Sequence, residues 1–128
     1  MRALLDTHTF LWWNGHEAKL SVRARRVIGD TRNEILLSVA SAWEIALKAG
    51  RGRLDLPLPA TRYVPERMAQ DGFHPLDIQL SHVLEAAVLP HHHEDPFDRV
   101  LVAQAIAEGI PIITADEAIR RYAVRTIW

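Results

Sequence analysis

The chain has 128 residues, of which 48% are hydrophobic, a composition that predicts one domain with a sizeable core. It carries 15 Lys and Arg against 16 Asp and Glu, and this net charge of −1 gives no general attraction to nucleic acid. The absence of Cys excludes a disulfide scaffold, a thiolate zinc site and a cysteine nucleophile, and it is typical of a reducing compartment.

The N-terminal segment MRALLDTHTFLWW is apolar, but polar residues interrupt it at positions 6–9. A signal peptide needs a longer unbroken apolar stretch with a small-residue cleavage site. A membrane-spanning helix needs about 20 apolar residues. We therefore expect a cytoplasmic protein with no membrane segment.

Short apolar runs alternate with helical segments over the first half of the chain. The pattern predicts, in order, a strand over 2–5, a helix over 7–13, a helix over 22–29 after the cap Ser21, and a strand over 34–38. The next helix is predicted to begin after Ser38 or Ser41. It is predicted to end at Gly50 in the left-handed conformation, and a loop over 51–59 follows.

The second half of the chain continues this alternation. It predicts a helix over 61–71 ended by Gly72, an edge strand over 73–76 that contains Pro75, and a helix over 79–89 with apolar residues at helical spacing. A loop is predicted over 91–94, followed by a helix from Asp95 and Pro96 to Gly109. The last predicted elements are a strand over 110–115, a short helix after Asp116 and a strand over 124–127. Apolar strands separated by helices indicate an α/β fold whose parallel sheet is covered on both faces.

Four carboxylates stand where such a fold brings side chains to one edge of the sheet: Asp6, Glu44, Asp98 and Asp116. Asp6 and Asp116 follow predicted strands, and α/β proteins bind ligands outside the carboxyl ends of their strands. Each acid also has a purely structural explanation. Asp6 and Asp116 fit helix caps, Asp98 complements a helix dipole, and Glu44 is four residues from Lys48.

These structural explanations account less well for the four acids together. Glu44 lies in an almost wholly apolar helix, and a buried acid needs a partner or a metal. Asp98 begins a second apolar helix that Asp95 already caps. Carboxylate oxygens are the ligands that Mg²⁺ and Mn²⁺ prefer, and such ions assist in-line displacement at phosphorus. The four acids therefore predict a metal-dependent phosphodiesterase.

Four stretches of the chain resemble the PIN domain, and within it the toxin ribonucleases of VapC type. They are LLDTH at 4–8, SVASAWEI at 38–45, DPFDRVLVAQA at 95–105 and IITAD at 112–116. They follow the family's order and span nearly the whole chain, and the third is the most specific. The resemblance implies a single PIN domain over 1–128, a three-layer α/β sandwich whose five-stranded parallel sheet has the order 3-2-1-4-5 between flanking helices.

The resemblance also implies that Asp6, Glu44 and Asp98 hold Mg²⁺ or Mn²⁺ and that Asp116 completes the site, while Asp95 stays an alternative to Asp98 one turn away. The implied activity is endonucleolytic cleavage of RNA by the toxin of a type II toxin–antitoxin pair. The expected partners are an RNA substrate, a cognate antitoxin protein and a second copy of the chain. A non-catalytic RNA-binding domain of the same fold is the alternative, which the intact set of four acids disfavours.

Several neighbouring residues have two interpretations. Thr114 is expected to hydrogen-bond a carboxylate or a metal-bound water. Arg99 is expected either to reach a substrate phosphate or to pair with Asp95 or Glu94. The run at 91–93 is three histidines, a candidate transition-metal site. Consecutive histidines in a loop do not easily converge on one ion, so a solvated loop is expected there.

A phosphatase or phosphoacceptor domain of another doubly wound fold fits the sequence less well. A single acid, Asp6, ends the first strand, and position 8 is His8 rather than a second Asp. No Lys follows Thr114, and the chain contains no glycine-rich phosphate loop.

Overall fold

The computed structural model describes residues 1–128 and consists of one parallel sheet with six helices. The strands, in the spatial order β3-β2-β1-β4-β5, are β1 (Arg2–Leu5), β2 (Glu34–Ser38), β3 (His74–Leu76), β4 (Ile112–Ile113) and β5 (Thr126–Ile127). The helices are α1 (Thr7–Trp13), α2 (Val22–Gly29), α3 (Val39–Gly50), α4 (Ala60–Asp71), α5 (Leu80–Val88) and α6 (Pro96–Glu108). The predicted fold class and strand order are confirmed.

The central strand β1 is buried on both faces because its side chains alternate between two cores. Ala3 and Leu5 pack into one core, and Leu4 packs into the other. In the parallel register Leu4 lies beside Ile112, and Leu5 lies beside Ile113. The carboxyl ends of β1 and β4 therefore meet at one edge of the sheet, where the residues that follow each strand are brought together.

The start of α3 matches one of the two predicted caps, and its end differs from the prediction. The Ser38 hydroxyl accepts a hydrogen bond from the Ala40 amide at 3.0 Å, so Ser38 is the cap. Gly50 remains helical, and the positive φ of 69° belongs to Gly52. The prediction of a left-handed Gly50 is wrong because Gly50 is the last helical residue, and the left-handed conformation comes two residues later, at Gly52. Sequence periodicity does not choose between two glycines so close together.

The strands beside the edge of the sheet are shorter than predicted. Only Ile112–Ile113 and Thr126–Ile127 pair as strands, where runs over 110–115 and 124–127 were expected. The predicted helix after Asp116 is a single 3-10 turn over Ile119–Arg121, and an unpredicted one lies over Glu17–Lys19. Apolar runs in a sequence indicate which residues are buried. Here the buried residues extend beyond those that form hydrogen-bonded pairs in the sheet.

The apolar residues whose spacing predicts α5 face solvent. Leu80 is 74% exposed, Leu84 60% and Val88 75%. The buried side of α5 instead presents His82 and Ala86. A contiguous apolar surface of this kind is typical of an interface with another molecule. The structure has no helix with the length and apolarity that crossing a bilayer requires.

Candidate metal centre

The two central strands place Asp6 and Thr114 side by side. The Asp6 amide donates to the Ile113 carbonyl at 3.1 Å, which continues the pairing of β1 with β4. The Thr114 hydroxyl donates to Asp6 Oδ2 at 2.6 Å and accepts from the Asp116 amide at 2.9 Å. Thr114 therefore links Asp6 to Asp116, and one of the two hydrogen bonds expected of it, that to a carboxylate, is present.

Glu44 reaches the same region from α3. Its side chain is 2% exposed, and its Oε2 accepts from Lys48 Nζ at 2.6 Å, so the pairing considered from sequence is present. This hydrogen bond raises the pKa of Lys48. A hydrogen bond of 2.8 Å from the Thr7 hydroxyl to the Ser41 hydroxyl joins α1 to α3 close to these acids.

Two carboxylate oxygens at this edge are buried without a hydrogen-bond partner, Oδ1 of Asp6 and Oε1 of Glu44. Asp6 is 4% exposed, and its side chain accepts no capping hydrogen bond from the amides of α1, so helix capping does not explain its position. A buried anionic oxygen without a partner is unfavourable, and a bound cation satisfies it. The two oxygens therefore fit the donor set of a divalent ion.

Asp98 lies in the first turn of α6 and is almost fully buried. Burial, and then the charges of Asp6, Asp95, Glu44 and Asp116, together raise its pKa from 3.8 to about 8. The carboxylates thus act on one another. The pKa of Asp6 is also raised, chiefly by burial, while its hydrogen bond from Thr114 opposes the shift.

Asp116 is the most accessible of the four acids, and its oxygens already have partners. Its side chain is 32% exposed, and its Oδ1 accepts from the Ala118 amide at 2.8 Å. Asp95, the alternative to Asp98, accepts from the Phe97 amide at 2.8 Å and so caps α6. These contacts place Asp116 at the rim of the acidic cluster.

His93 is the site residue that sequence reasoning missed. Its Nε2 lies 3.1 Å from Asp98 Oδ2 and 2.9 Å from Asp116 Oδ2, and one ligand atom of each of the three lies within 4.8 Å of the others. His91 and His92 are exposed, as expected of a solvated loop, but for His93 that expectation is wrong. The sequence did carry one signal for His93. It lies two residues before Asp95, the cap of α6, and so must lie near the first turn of that helix, which carries Asp98.

Arg99 has a role that neither sequence interpretation anticipated. Its guanidinium is buried and donates to the carbonyls of Ala86 (2.8 Å), Leu89 (3.0 Å) and Pro90 (3.0 Å), with a longer contact to that of His93. The alternative of an ion pair with an acid at 94–95 is wrong, because the guanidinium is turned toward these carbonyls. Its donors hold the loop before α6, and this arrangement does not favour the alternative of a contact with substrate phosphate.

The PIN domain model matches residues 3–125, almost the whole chain. The chain belongs to the PIN domain family. Two curated relatives are ribonucleases of Mycobacterium tuberculosis (strain ATCC 25618 / H37Rv). Ribonuclease VapC22 is 29% identical over 120 residues, which cover 93% of this PIN domain and 90% of the relative. Ribonuclease VapC16 is 48% identical over 58 residues, and there the alignment covers 45% of this chain and 41% of the relative.

Two solved structures share the fold of this PIN domain. VapBC2 from Rickettsia felis, crystallised with a DNA fragment from its promoter, superposes with a TM-score of 0.68 at 12% identity over 98% of this chain and 97% of that one. FitAcB from Neisseria gonorrhoeae superposes with a TM-score of 0.59 at 17% identity over 97% of this chain and 95% of that one. The predicted kinship with VapC ribonucleases is therefore confirmed.

Proposed function

We propose that this PIN domain is a metal-dependent endoribonuclease and the toxin of a type II toxin–antitoxin pair. The observation that carries the proposal is the pair of buried, unpartnered oxygens on Asp6 and Glu44 beside Asp98, whose pKa is raised to about 8. Hard oxygen donors of this kind suit Mg²⁺ or Mn²⁺. The kinship with the VapC ribonucleases supports the same activity.

In this proposal Asp6, Glu44 and Asp98 hold the ion, and Asp116 completes the acidic site from the rim. A divalent cation held there would supply the activation of a water for in-line attack on the phosphodiester and the stabilisation of the leaving oxygen. Thr114 fixes Asp6 through Oδ2 and leaves Oδ1 free for a ligand bond. Lys48 does the same for Glu44, because it occupies Oε2 and leaves Oε1 free.

The RNA backbone is proposed to lie along the cleft beside Glu44. This cleft has a volume of about 210 Å³ and is lined by polar side chains that include His8, Lys48 and Arg53. Cationic side chains next to an acidic metal site position phosphates on either side of the bond that is cut. RNA, rather than DNA, is proposed because both curated relatives are ribonucleases.

The proposed partners are a cognate antitoxin protein and a second copy of the chain, in the cytoplasm. The antitoxin is proposed from the kinship with VapC proteins. The exposed apolar side of α5, which includes Leu80, Leu84 and Val88, is compatible with burial in such an assembly.

The experiment that tests the proposed activity is RNA cleavage by the purified chain in Mg²⁺, in Mn²⁺ and in EDTA. We expect cleavage only with a divalent ion, loss of cleavage in Asp98→Asn, and retention of cleavage in Asp95→Asn, which conserves a good helix cap. Equal cleavage in EDTA would refute the metal mechanism. RNA binding without cleavage under any of these conditions would favour the non-catalytic alternative.

A further inference from the structure

The hydrogen bonds of His93 determine which of its ring nitrogens carries the proton. The Asp95 backbone amide donates to His93 Nδ1 at 3.1 Å, so Nδ1 is the acceptor. A neutral imidazole with an acceptor at Nδ1 carries its proton on Nε2. The same Nε2 faces Oδ2 of Asp98 at 3.1 Å and Oδ2 of Asp116 at 2.9 Å. Its N–H therefore donates to Oδ2 of Asp116 and lies close to Oδ2 of Asp98.

The loop that carries His93 is held firmly from the side opposite the carboxylates. The His93 amide donates to the Tyr122 hydroxyl at 3.0 Å, and that hydroxyl donates to the Pro90 carbonyl at 2.7 Å. The buried guanidinium of Arg99 binds the carbonyls of Leu89 and Pro90. The ring is thus positioned between the two acids by buried contacts rather than by chance in a solvated loop.

We propose that His93 is a positioning residue that competes with the metal ion: its Nε2–H occupies Oδ2 of Asp116 and lies against Oδ2 of Asp98, and a bound cation would displace it. The inference rests on the proposed metal site. It differs from a role as ligand, because Nε2 has no free lone pair while Nδ1 accepts from Asp95. To bind the ion, His93 would have to move its proton to Nδ1 and lose that hydrogen bond.

Competition and ligation predict opposite effects when the imidazole is removed. If His93 competes, His93→Ala frees Oδ2 of Asp116, removes the ring from beside Oδ2 of Asp98 and tightens metal binding. A hydrogen bond to a charged group has a net value that corresponds to about a tenfold change in affinity. If His93 is a ligand, its removal weakens binding by a similar or larger factor. His93→Gln keeps an amide donor near the position of Nε2 and should restore affinity toward the wild-type value.

The test is calorimetric titration of Mn²⁺ into the purified chain at constant pH, with His91→Ala as the matched control on the exposed part of the same loop. We expect about tenfold tighter binding by His93→Ala and wild-type binding by His91→Ala. Weaker or unchanged binding by His93→Ala would overturn the inference while leaving the metal site in place. Absence of Mn²⁺ binding by the wild type and all variants would overturn the proposed metal site as well.

A second measurement needs no variant. In EDTA, ¹⁵N-edited NMR of the histidine rings reports which nitrogen of His93 is protonated. The inference predicts a proton on Nε2 and an acceptor at Nδ1, and addition of Mg²⁺ should shift the Nε2 resonance of His93 more than that of His91. A proton on Nδ1 in EDTA would contradict the inference even if every variant failed to fold.

Discussion

Asp98→Asn should make the chain more stable without metal and unresponsive to metal. The pKa of Asp98 is raised from 3.8 to about 8 by burial and then by the neighbouring carboxylates. The folded state therefore keeps a proton that the unfolded state has already lost. As a result, the free energy of unfolding falls as the pH rises between about 4 and about 8. An Asn, which is always neutral, removes this loss.

The size of this change in stability follows from the shift in the pKa of Asp98. Neutral pH lies about three units above the ordinary pKa of Asp98, and each unit corresponds to about 1.4 kcal/mol. The wild type therefore loses about 4 kcal/mol at neutral pH relative to a neutral side chain, an upper limit because the proton is shared within the cluster. For a domain of this size, that amounts to a rise in melting temperature of at most about 15 °C in Asp98→Asn.

The assay is thermal unfolding of both proteins in EDTA at several pH values, and then with Mn²⁺ or Mg²⁺. In EDTA the wild type should lose stability from mildly acidic to mildly alkaline pH, and the variant should change much less. Metal should raise the wild-type melting temperature, since a ligand that binds only the folded state stabilises it, and should leave Asp98→Asn unchanged. Asp95→Asn, at the cap one turn away, is the matched control and should respond like the wild type.

Two results would refute this reasoning. One is a melting temperature of Asp98→Asn in EDTA that is equal to or below that of the wild type at neutral pH, which would mean that the carboxylates do not destabilise one another. The other is a full metal response in Asp98→Asn combined with its loss in Asp95→Asn, which would transfer the ligand role to Asp95.

Further predictions concern the surroundings of the site. Thr114→Val should lose the hydrogen bonds to Asp6 and from Asp116, and RNA cleavage should fall roughly 10- to 100-fold, with Thr114→Ser retaining most activity in the same assay. Arg99→Met should lower the free energy of unfolding, measured by urea denaturation, by about 3 kcal/mol or more, because several buried carbonyls lose a charged donor. A change below about 1 kcal/mol would show that the loop is held by other contacts. If the proposed homodimer forms through the exposed side of α5, Leu84→Glu should lower the mass measured by light scattering toward that of one chain without lowering the melting temperature. A dimer mass that does not change in this variant would show that the two chains associate through another surface.

The fold was predictable because the apolar runs and the helix ends give consistent signals. The runs at 2–5 and 34–38 become the strands β1 and β2 with the predicted bounds. Gly72 and Gly109 end their helices as expected, and both have a positive φ. The predictions failed where apolar residues are not part of the core. The apolar side of α5 faces solvent, so helical spacing correctly indicated a helix but not which side is buried.

The convergence of the four acids was predictable for a similar reason, while their role as a metal site stays a prediction. Asp6 and Asp116 follow strands, and Glu44 and Asp98 lie in apolar helices, so their approach follows from the topology of the sheet. The position of His93 just before α6 gave only a weak signal, because the loop also depends on Tyr122, which lies far along the chain. Single-sequence patterns carry no information about such long-range contacts to loops.

The most direct test of the account is anomalous diffraction from a crystal of the wild-type chain soaked in Mn²⁺. The account predicts an anomalous peak among Asp6, Glu44 and Asp98, with Oδ1 of Asp6 and Oε1 of Glu44 directed at it at roughly 2.0–2.3 Å, a typical ligand distance for such ions. It also predicts that His93 Nε2 has moved away from the Oδ2 atoms of Asp98 and Asp116. A peak on the imidazoles at 91–93, or no peak at the four acids, would contradict the central claim.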